Sequence, residues 1–437
     1  MSSSQIAARQ GFTAEAFESL LSTLDEPGWL TEQRRRAWRQ FTDLPLPRQS
    51  EEEWMRTDVR LLRLGDFGLP PAPPSDVVVP AAQLSEGVEL AGRAVSCDSH
   101  SVQSSLKLKW KKQGVLFGSL DAMVNEHADL LEPHLRLPEE WVARDKFAAL
   151  NAACWTGGAL LYVPRGVVID EPLHALSALS ARGVDLGRVL VILEEGAEAT
   201  MLSETANEDG PGLHCGRIDL SVGPGARLRC VNLQDWGTGV WHFAHQHADV
   251  ARDATLQWTI GALGSRLAKV NQHVTLSGPG ADVQVNGVMF TEGRQHLSYH
   301  TLQHHRAPHG RSDLLYKGAL QDRSRLVWRG MIKVDKQAQK TDAYQRDDNL
   351  MLSAAARADS IPGLEIEADD VRCTHGATAG RVDDEQVFYA RSRGLTRKEA
   401  VRMIVAGFFQ TVFDRITVPS VRDALGQTIG RRIREYD

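Results

Sequence analysis

Cysteine is scarce in this 437-residue chain: Cys97, Cys154, Cys215, Cys230 and Cys373 are odd in number, widely spaced and form no Cys-x-x-Cys pair. A disulfide framework and a zinc ribbon both need paired thiols, so neither is expected, and a reducing compartment is. Equally absent is any Gly-Lys dipeptide, which removes the phosphate-cradling P-loop, along with His-Glu-x-x-His and Gly-x-Ser-x-Gly. No apolar run approaches the roughly 18 residues that cross a bilayer, and the stretch Met1 to Gly11 lacks the apolar segment of a signal peptide. Basic charge is not in excess: 50 Lys and Arg face 56 Asp and Glu, a net −6, which offers no general attraction to nucleic acid or to an anionic membrane. The expectation is a cytoplasmic protein with neither nucleic acid nor membrane as a partner.

What is present, 42% hydrophobic and 24% charged residues, supports at least one large core and roughly two or three domains. Residues 1–155 read as a largely helical region. Phe17, Leu20, Leu21 and Leu24 fall at helical spacing, and the charged stretch Glu32 to Arg39 carries Trp38, with Phe41 beyond it, as anchors. Pro70, Pro71, Pro73, Pro74 and Pro80 make 69–80 an extended connector. Further helices are predicted around Ser119 to Leu131 and Asp145 to Cys154.

Residues 156–384 change character. Short runs rich in Val, Leu, Ile and Thr predict strands at Ala159 to Val163, Arg188 to Leu193, Ile218 to Val222, Val274 to Leu276 and Val283 to Met289. Turns recur in similar form as Glu195-Gly196-Ala197, Pro224-Gly225-Ala226, Arg252-Asp253-Ala254 and Pro279-Gly280-Ala281, spaced by 29, 28 and 27 residues. A strand-turn-strand unit repeating without helices builds a coiled sheet in which each turn buries its inward residues on the next. A parallel β-helix is therefore favoured over the successive hairpins of a jelly roll. Residues 385–437 return to helix after the short apolar run Val387 to Tyr389. Ala400, Met403, Ile404, Phe408 and Val412 recur at helical spacing, Val421 to Arg434 resumes the pattern, and Thr396 with Glu399 is a capping-box signature.

Nine of the fifteen histidines lie between His242 and His309. His245, His247 and Asp249 would share one face of a strand and offer two imidazoles and a carboxylate to a metal. A solvent-facing polar row is the plainer reading, because no further ligand is spaced to complete the set. A helix would align His296, His300 and His304, but their surroundings read as strand and loop, so packing and surface roles are expected. Cys154, Cys215 and Cys230 read as core residues. More specific is the run Asp369-Asp370-Val371-Arg372-Cys373-Thr374-His375-Gly376-Ala377-Thr378. On a strand, Cys373 and His375 project to one side and present a soft thiolate and an imidazole, a pair suited to iron or zinc. A buried cysteine beside a hydrogen-bonded histidine is the alternative.

The stretch from Ser324 to Gly394 resembles the SufB/SufD family of iron-sulfur cluster assembly proteins, in Ser324-Arg325-Leu326-Val327, Thr341-Asp342-Ala343, Leu364-Glu365-Ile366, Asp369-Asp370-Val371 and His375-Gly376-Ala377-Thr378. Ala307-Pro308-His309 and Leu315-Tyr316-Lys317-Gly318 agree, and Glu52-Glu53-Trp54 with Thr57-Asp58 is similar to the family's N-terminal signature. Within the family, His375-Gly376-Ala377-Thr378 is similar to the SufD branch. SufB typically has Glu after that histidine, and Tyr344 to Leu350 lacks the cysteine often found there in SufB.

The resemblance implies a right-handed parallel β-helix between helical ends, and a complex with a SufB-like subunit and the SufC ATPase. It implies an iron-sulfur cluster formed transiently at the SufB interface, with His375 and Cys373 as the positions marked for it and Asp369 or Asp370 as second partners of the imidazole. Persulfide sulfur would be received on SufB. The C-terminal helices would dock SufC through a face including Met403, Phe408 and Val412, a face that core packing also explains. The chain is then a non-catalytic scaffold subunit, with ATPase activity in SufC and no cluster on the isolated chain. Two other readings stay open: a SufB-like scaffold that itself receives sulfur and holds the cluster, and a β-helix enzyme acting on polysaccharide, for which Trp236, Trp241 and Trp258 would supply the aromatic row. Purified without its partner, the chain is expected to form a homodimer mimicking the SufB and SufD pair.

Overall fold

The turn repeat builds a coil. In the computed structural model, which describes residues 11–70, 79–208 and 210–433, the chain passes alternately between two facing sheets. Within each sheet, strands pair in parallel with the equivalent strand one turn away. The first sheet runs through Gly92–Cys97, Leu173–Leu179, Glu198–Asn207, Arg227–Gln234, Thr255–Ala262, Asp282–Thr291, Arg311–Leu320, Asp342–Met351 and Arg372–Arg381. The second runs through Ala159–Val163, Arg188–Leu193, Gly212–Val222, Val240–Val250, Leu267–Leu276, His296–His305, Arg325–Val334 and Arg357–Ile366. This is a parallel β-solenoid of about eight turns, and its parallel, in-register ladders are not those of a jelly roll.

The turns set the pitch. Gly196, Gly225, Asp253 and Gly280 all adopt left-handed φ, and each donates its N–H to a carbonyl of the next turn: Pro224 at 2.9 Å, Arg252 at 2.8 Å, Pro279 at 2.9 Å and Pro308 at 3.2 Å. The ladder continues past the sequence repeat, back to Gly166 and on to His309 and Lys340, which hold the same conformation without glycine's freedom. Inward side chains of successive strands stack on one another. Leu256, Trp258, Ile260, Val270, Val283 and Val285 form a dry stretch, each at most 1% exposed. Further along, the inward positions turn polar, with Gln303, His305, Gln345, Asp347 and Asn349 all buried.

Helical layers cover both outer faces. Ala14–Thr23, Gly28–Asp43 and Lys146–Cys154 lie over the second sheet, where Phe147 stacks on Phe243 at 3.5 Å between ring centroids. Arg34, buried and paired with Glu26 at 2.9 Å, donates to the carbonyls of Ala153 and Trp155 and ties two of these helices together. Asp384–Ser392, Arg397–Phe413 and Pro419–Arg432 lie over the first sheet, packing Val405, Phe409, Val412 and Leu425 on Leu202, Leu233, Val288 and Phe290. The Thr396 and Glu399 capping box is present. Val387 to Tyr389 lies in the first of these C-terminal helices, and one local expectation changes: the helix around Ser119 to Leu131 is two short ones, Leu120–Met123 and Ala128–Leu135. Gly92–Cys97, His100–Leu106 and Leu116–Gly118, all before residue 156, are strands of the sheets. Of the connector at 69–80, residues 71–78 lie outside the described residues. No helix among the described residues is long and apolar enough to cross a membrane.

Candidate functional site

Since the C-terminal helices fold back along one face, they leave the end of the solenoid uncovered. The two sheets finish in Arg357–Ile366 and Arg372–Arg381, ten residues each, every one with a single parallel neighbour. Register decides what this end displays. Leu364 aligns with Ile332 and Ile366 with Val334, both of which are core residues; Leu364 and Ile366 are 38% and 40% exposed. Cys373 aligns with Ala343 and His375 with Gln345, again buried positions, so both project on the inward side of a coil on which nothing is stacked among the described residues. The strand thus brings Cys373 and His375 to one side, as its period of two requires.

Their surroundings differ. Cys373 is half-buried beside Val371, against Ile332, Val334, Ala338, Ala343 and Ala368. Burial, with a smaller push from Asp342, raises its thiol above the ordinary value, so it is protonated at neutral pH and would ionise on gaining a cation. His375 is exposed. Asp370, one of its two expected partners, is instead paired with Lys340 in the turn ladder. Among the described residues no three His, Cys, Asp or Glu side chains converge as a metal site.

Beneath this open coil lies a polar interior. Asp347 accepts hydrogen bonds from Ser360 Oγ at 2.5 Å and Asn349 Nδ2 at 2.6 Å, and burial pushes its carboxyl up to about 7. Asp347 was not singled out from sequence, although strand alternation within Tyr344 to Leu350 would have turned it inward.

The other histidines are not a surface row. His245 is buried with Nε2 3.2 Å from Asp145 Oδ2, His247 meets the Trp141 ring edge, and Asp249 accepts from Ser277 Oγ. They share the outer face of the second sheet as expected, but the N-terminal helical region covers it. On the strand His296–His305, His300 Nδ1 lies 3.5 Å from Glu53 Oε2, and Lys269 is buried near Trp54, pushed down to about 7 by desolvation. Glu53 is held well below the usual carboxylate range, chiefly by His300 and then by Arg144, so it is ionised beside a neutral imidazole that burial keeps at about 4. The Glu52-Glu53-Trp54 motif is therefore an anchor on the solenoid.

Trp236, Trp241 and Trp258 are all buried, which corrects the idea of an exposed aromatic row for polysaccharide. Cys154, Cys215 and Cys230 are core residues, each 1% exposed. On the C-terminal helices Val412 is buried, Phe408 is half-buried with its carbonyl accepting from Lys317 Nζ at 2.7 Å, and Met403 is 55% exposed. Phe388 and Tyr389, which lie in the stretch that carries the family resemblance, are 75% and 61% exposed on the adjoining helix.

The fold defines the class first: a β-solenoid between two helical layers, open at its last coil. The models that match it are the SUF system FeS cluster assembly SufBD core domain, over residues 177–408, and the SufBD protein N-terminal region, over 17–175. An iron-sulfur cluster assembly SufBD family protein of Mycobacterium tuberculosis is 34% identical over 303 residues, covering 67% of this chain and 76% of that protein. The iron-sulfur cluster assembly protein SufB of Bacillus subtilis is 26% identical over 434 residues, covering 92% of this chain and 89% of its own length. A SufBD family protein of Staphylococcus saprophyticus is 25% identical over 428 residues, with the same coverage. The chain belongs to the SufBD family of iron-sulfur cluster assembly proteins.

Proposed function

We propose that this chain is the SufD-type, non-catalytic subunit of a cytoplasmic scaffold, with a SufB-like subunit paired on its open coil and a SufC-like ATPase docked on its C-terminal helices. The supporting observation is the pair of unpartnered ten-residue edges that carry His375 on their inward side. Edges of that length, with Leu364 and Ile366 exposed, invite continuation by another chain. The nascent iron-sulfur cluster then forms transiently where the two solenoids meet, with His375 as one ligand and Cys373 as a second donor once a metal lowers its pKa. The three stretches 1–155, 156–384 and 385–437 divide the work into anchoring layer, solenoid wall and ATPase dock. Met403 and the half-buried Phe408, with Phe388 and Tyr389 exposed on the neighbouring helix, are the apolar contacts offered to the ATPase; Val412 is buried in the layer that holds the helix on the sheet.

The SufB-like alternative is favoured by the similarity to a protein of that name. Against it, Tyr344 to Leu350 pairs residue for residue with Thr374 to Gly380 and has no cysteine there to receive sulfur. Anaerobic purification from the native host, with stoichiometry, iron and sulfide measured, separates the two. Recovery with a SufB-like chain and an ATPase, with cluster content lost in His375→Ala but the complex intact, is the expected result. Recovery of this chain alone holding a cluster that survives desalting supports the SufB-like reading instead. A homodimer on partner-free purification is expected from the same open edges.

A further inference from the structure

The coil beneath His375 holds a carboxyl group that packing does not account for. Asp347 is 0% exposed and points inward, along a solenoid whose interior is apolar over much of its length. Both of its hydrogen bonds, from Ser360 and Asn349, reach Oδ2, while Oδ1 is buried without a partner among the described residues. The charge that acts on it is that of Asp348, another acid, which is itself paired with Arg346. Gln345 Oε1, Asn349 Oδ1 and Trp328 Nε1, on the same inward faces, are also buried and unpartnered. A dry carboxyl group with no cation is unfavourable, and a cation nearby would relieve it.

Register says where that cation sits. Asp347 aligns with Ala377 on the last strand, two residues from His375 on the same side. Neighbouring strands lie about 4.8 Å apart, so Asp347 and His375 are diagonal neighbours across one step of the ladder. Only Gly376 separates the two positions along the strand, and Ala377 adds a single methyl group. Ser360, the donor to Asp347, belongs to the other free edge, so the carboxyl group is tied to both strands of the open coil.

We infer that Asp347 is a positioning residue for the iron: from the coil beneath, its carboxylate supplies the negative charge that holds a ferrous ion on His375. The inference rests on the proposed role of His375 and adds a residue to that site.

The test is anaerobic Fe2+ titration of the complex with its partner subunits, by calorimetry, for wild type, Asp347→Asn and His375→Ala. Asp347→Asn is nearly isosteric, so it is expected to leave the metal-free unfolding temperature unchanged or higher while weakening Fe2+ binding about tenfold, the usual range for an outer-shell partner. If His375→Ala abolishes binding and Asp347→Asn leaves the affinity unchanged, the inference about Asp347 is overturned and the reading of His375 stands. If His375→Ala changes nothing, both fail. Should Asp347→Asn not fold, Ala377→Asp in the wild-type background answers the same question. An added carboxylate at the aligned position is expected to tighten Fe2+ binding several-fold, and an unchanged affinity overturns the inference.

Discussion

At the start of the solenoid, Trp110, Val115 and Phe117 turn in over the first coil and join its interior cluster. The bordering strands there are short or polar: Leu116–Gly118 has three residues, His100–Leu106 is largely exposed, and both run antiparallel to their neighbours. At the far end two ten-residue strands stop in full parallel register with Leu364, Ile366, Cys373 and His375 uncovered or half-covered. Natural sheets blunt an edge that is to stay alone by shortening it, making it polar or plugging it. The first end carries all three devices, whereas the last keeps its full length with no plug among the described residues, and has Pro362 and polar side chains such as Asp359 and Thr374 along it. The difference teaches that the same chain closes its coil at one end with Trp110, Val115 and Phe117 and at the other leaves the inward positions Leu364 and Ile366 exposed.

Acid is the broadest way to break that contrast. His296, His300 and His305 share one strand in the later coils, and burial holds each at about 4, below the ordinary 6.5. Between those values the unfolded chain binds protons that the folded chain does not, so the histidines' contribution falls as pH drops from about 6.5 to 4 and is constant below. The loss is on the order of 3 kcal/mol per histidine. Urea unfolding at pH 7 and pH 4.5 reads it, and hydrogen exchange is expected to show the later coils opening first. At the plugged end, Trp110→Ala removes the stopper and the indole's bond to Glu171, at about 3–5 kcal/mol, with partner binding retained. At the open end, Leu364→Lys with Ile366→Lys is expected to do the reverse: chain stability within about 0.5 kcal/mol of wild type, and co-purification with the partner subunit lost. Thr396→Ala, on the covered face and away from both ends, costs about 1 kcal/mol through the helix cap and leaves association untouched.

The solenoid was legible because its turns use residues that announce themselves. Gly196, Gly225 and Gly280 supply left-handed φ at no steric cost, and their spacing is the pitch of the coil. The later turns were not legible, since His309 and Lys340 take the same conformation and are held there by the ladder's hydrogen bonds, which no local pattern reveals. Cys373 and His375 were placed on one side of a strand by alternation alone, but that this strand is the last, and bare, depends on where the C-terminal helices fold. The histidine row of Val240–Val250 was legible as one face, yet its burial comes from Trp141 and Asp145, a hundred residues away in sequence. Likewise Val412 and Met403 share an apolar pattern, and only packing separates the buried side chain from the exposed one.

The ladder of left-handed turns has a mechanical side. Its hydrogen bonds run along the solenoid axis and join each coil to the next, so tension along that axis loads them one after another, as links in a chain, and the weakest link is the coil at the bare end. Pulled from there, the protein would lengthen in steps of about 29 residues, or roughly 100 Å of extended chain for each coil released. The helical layers clamp several consecutive coils on both outer faces, from Leu213 to Leu267 on one side and from Leu202 to Ala319 on the other. Between those clamps the solenoid is braced on both outer faces, and the last coil lies beyond them.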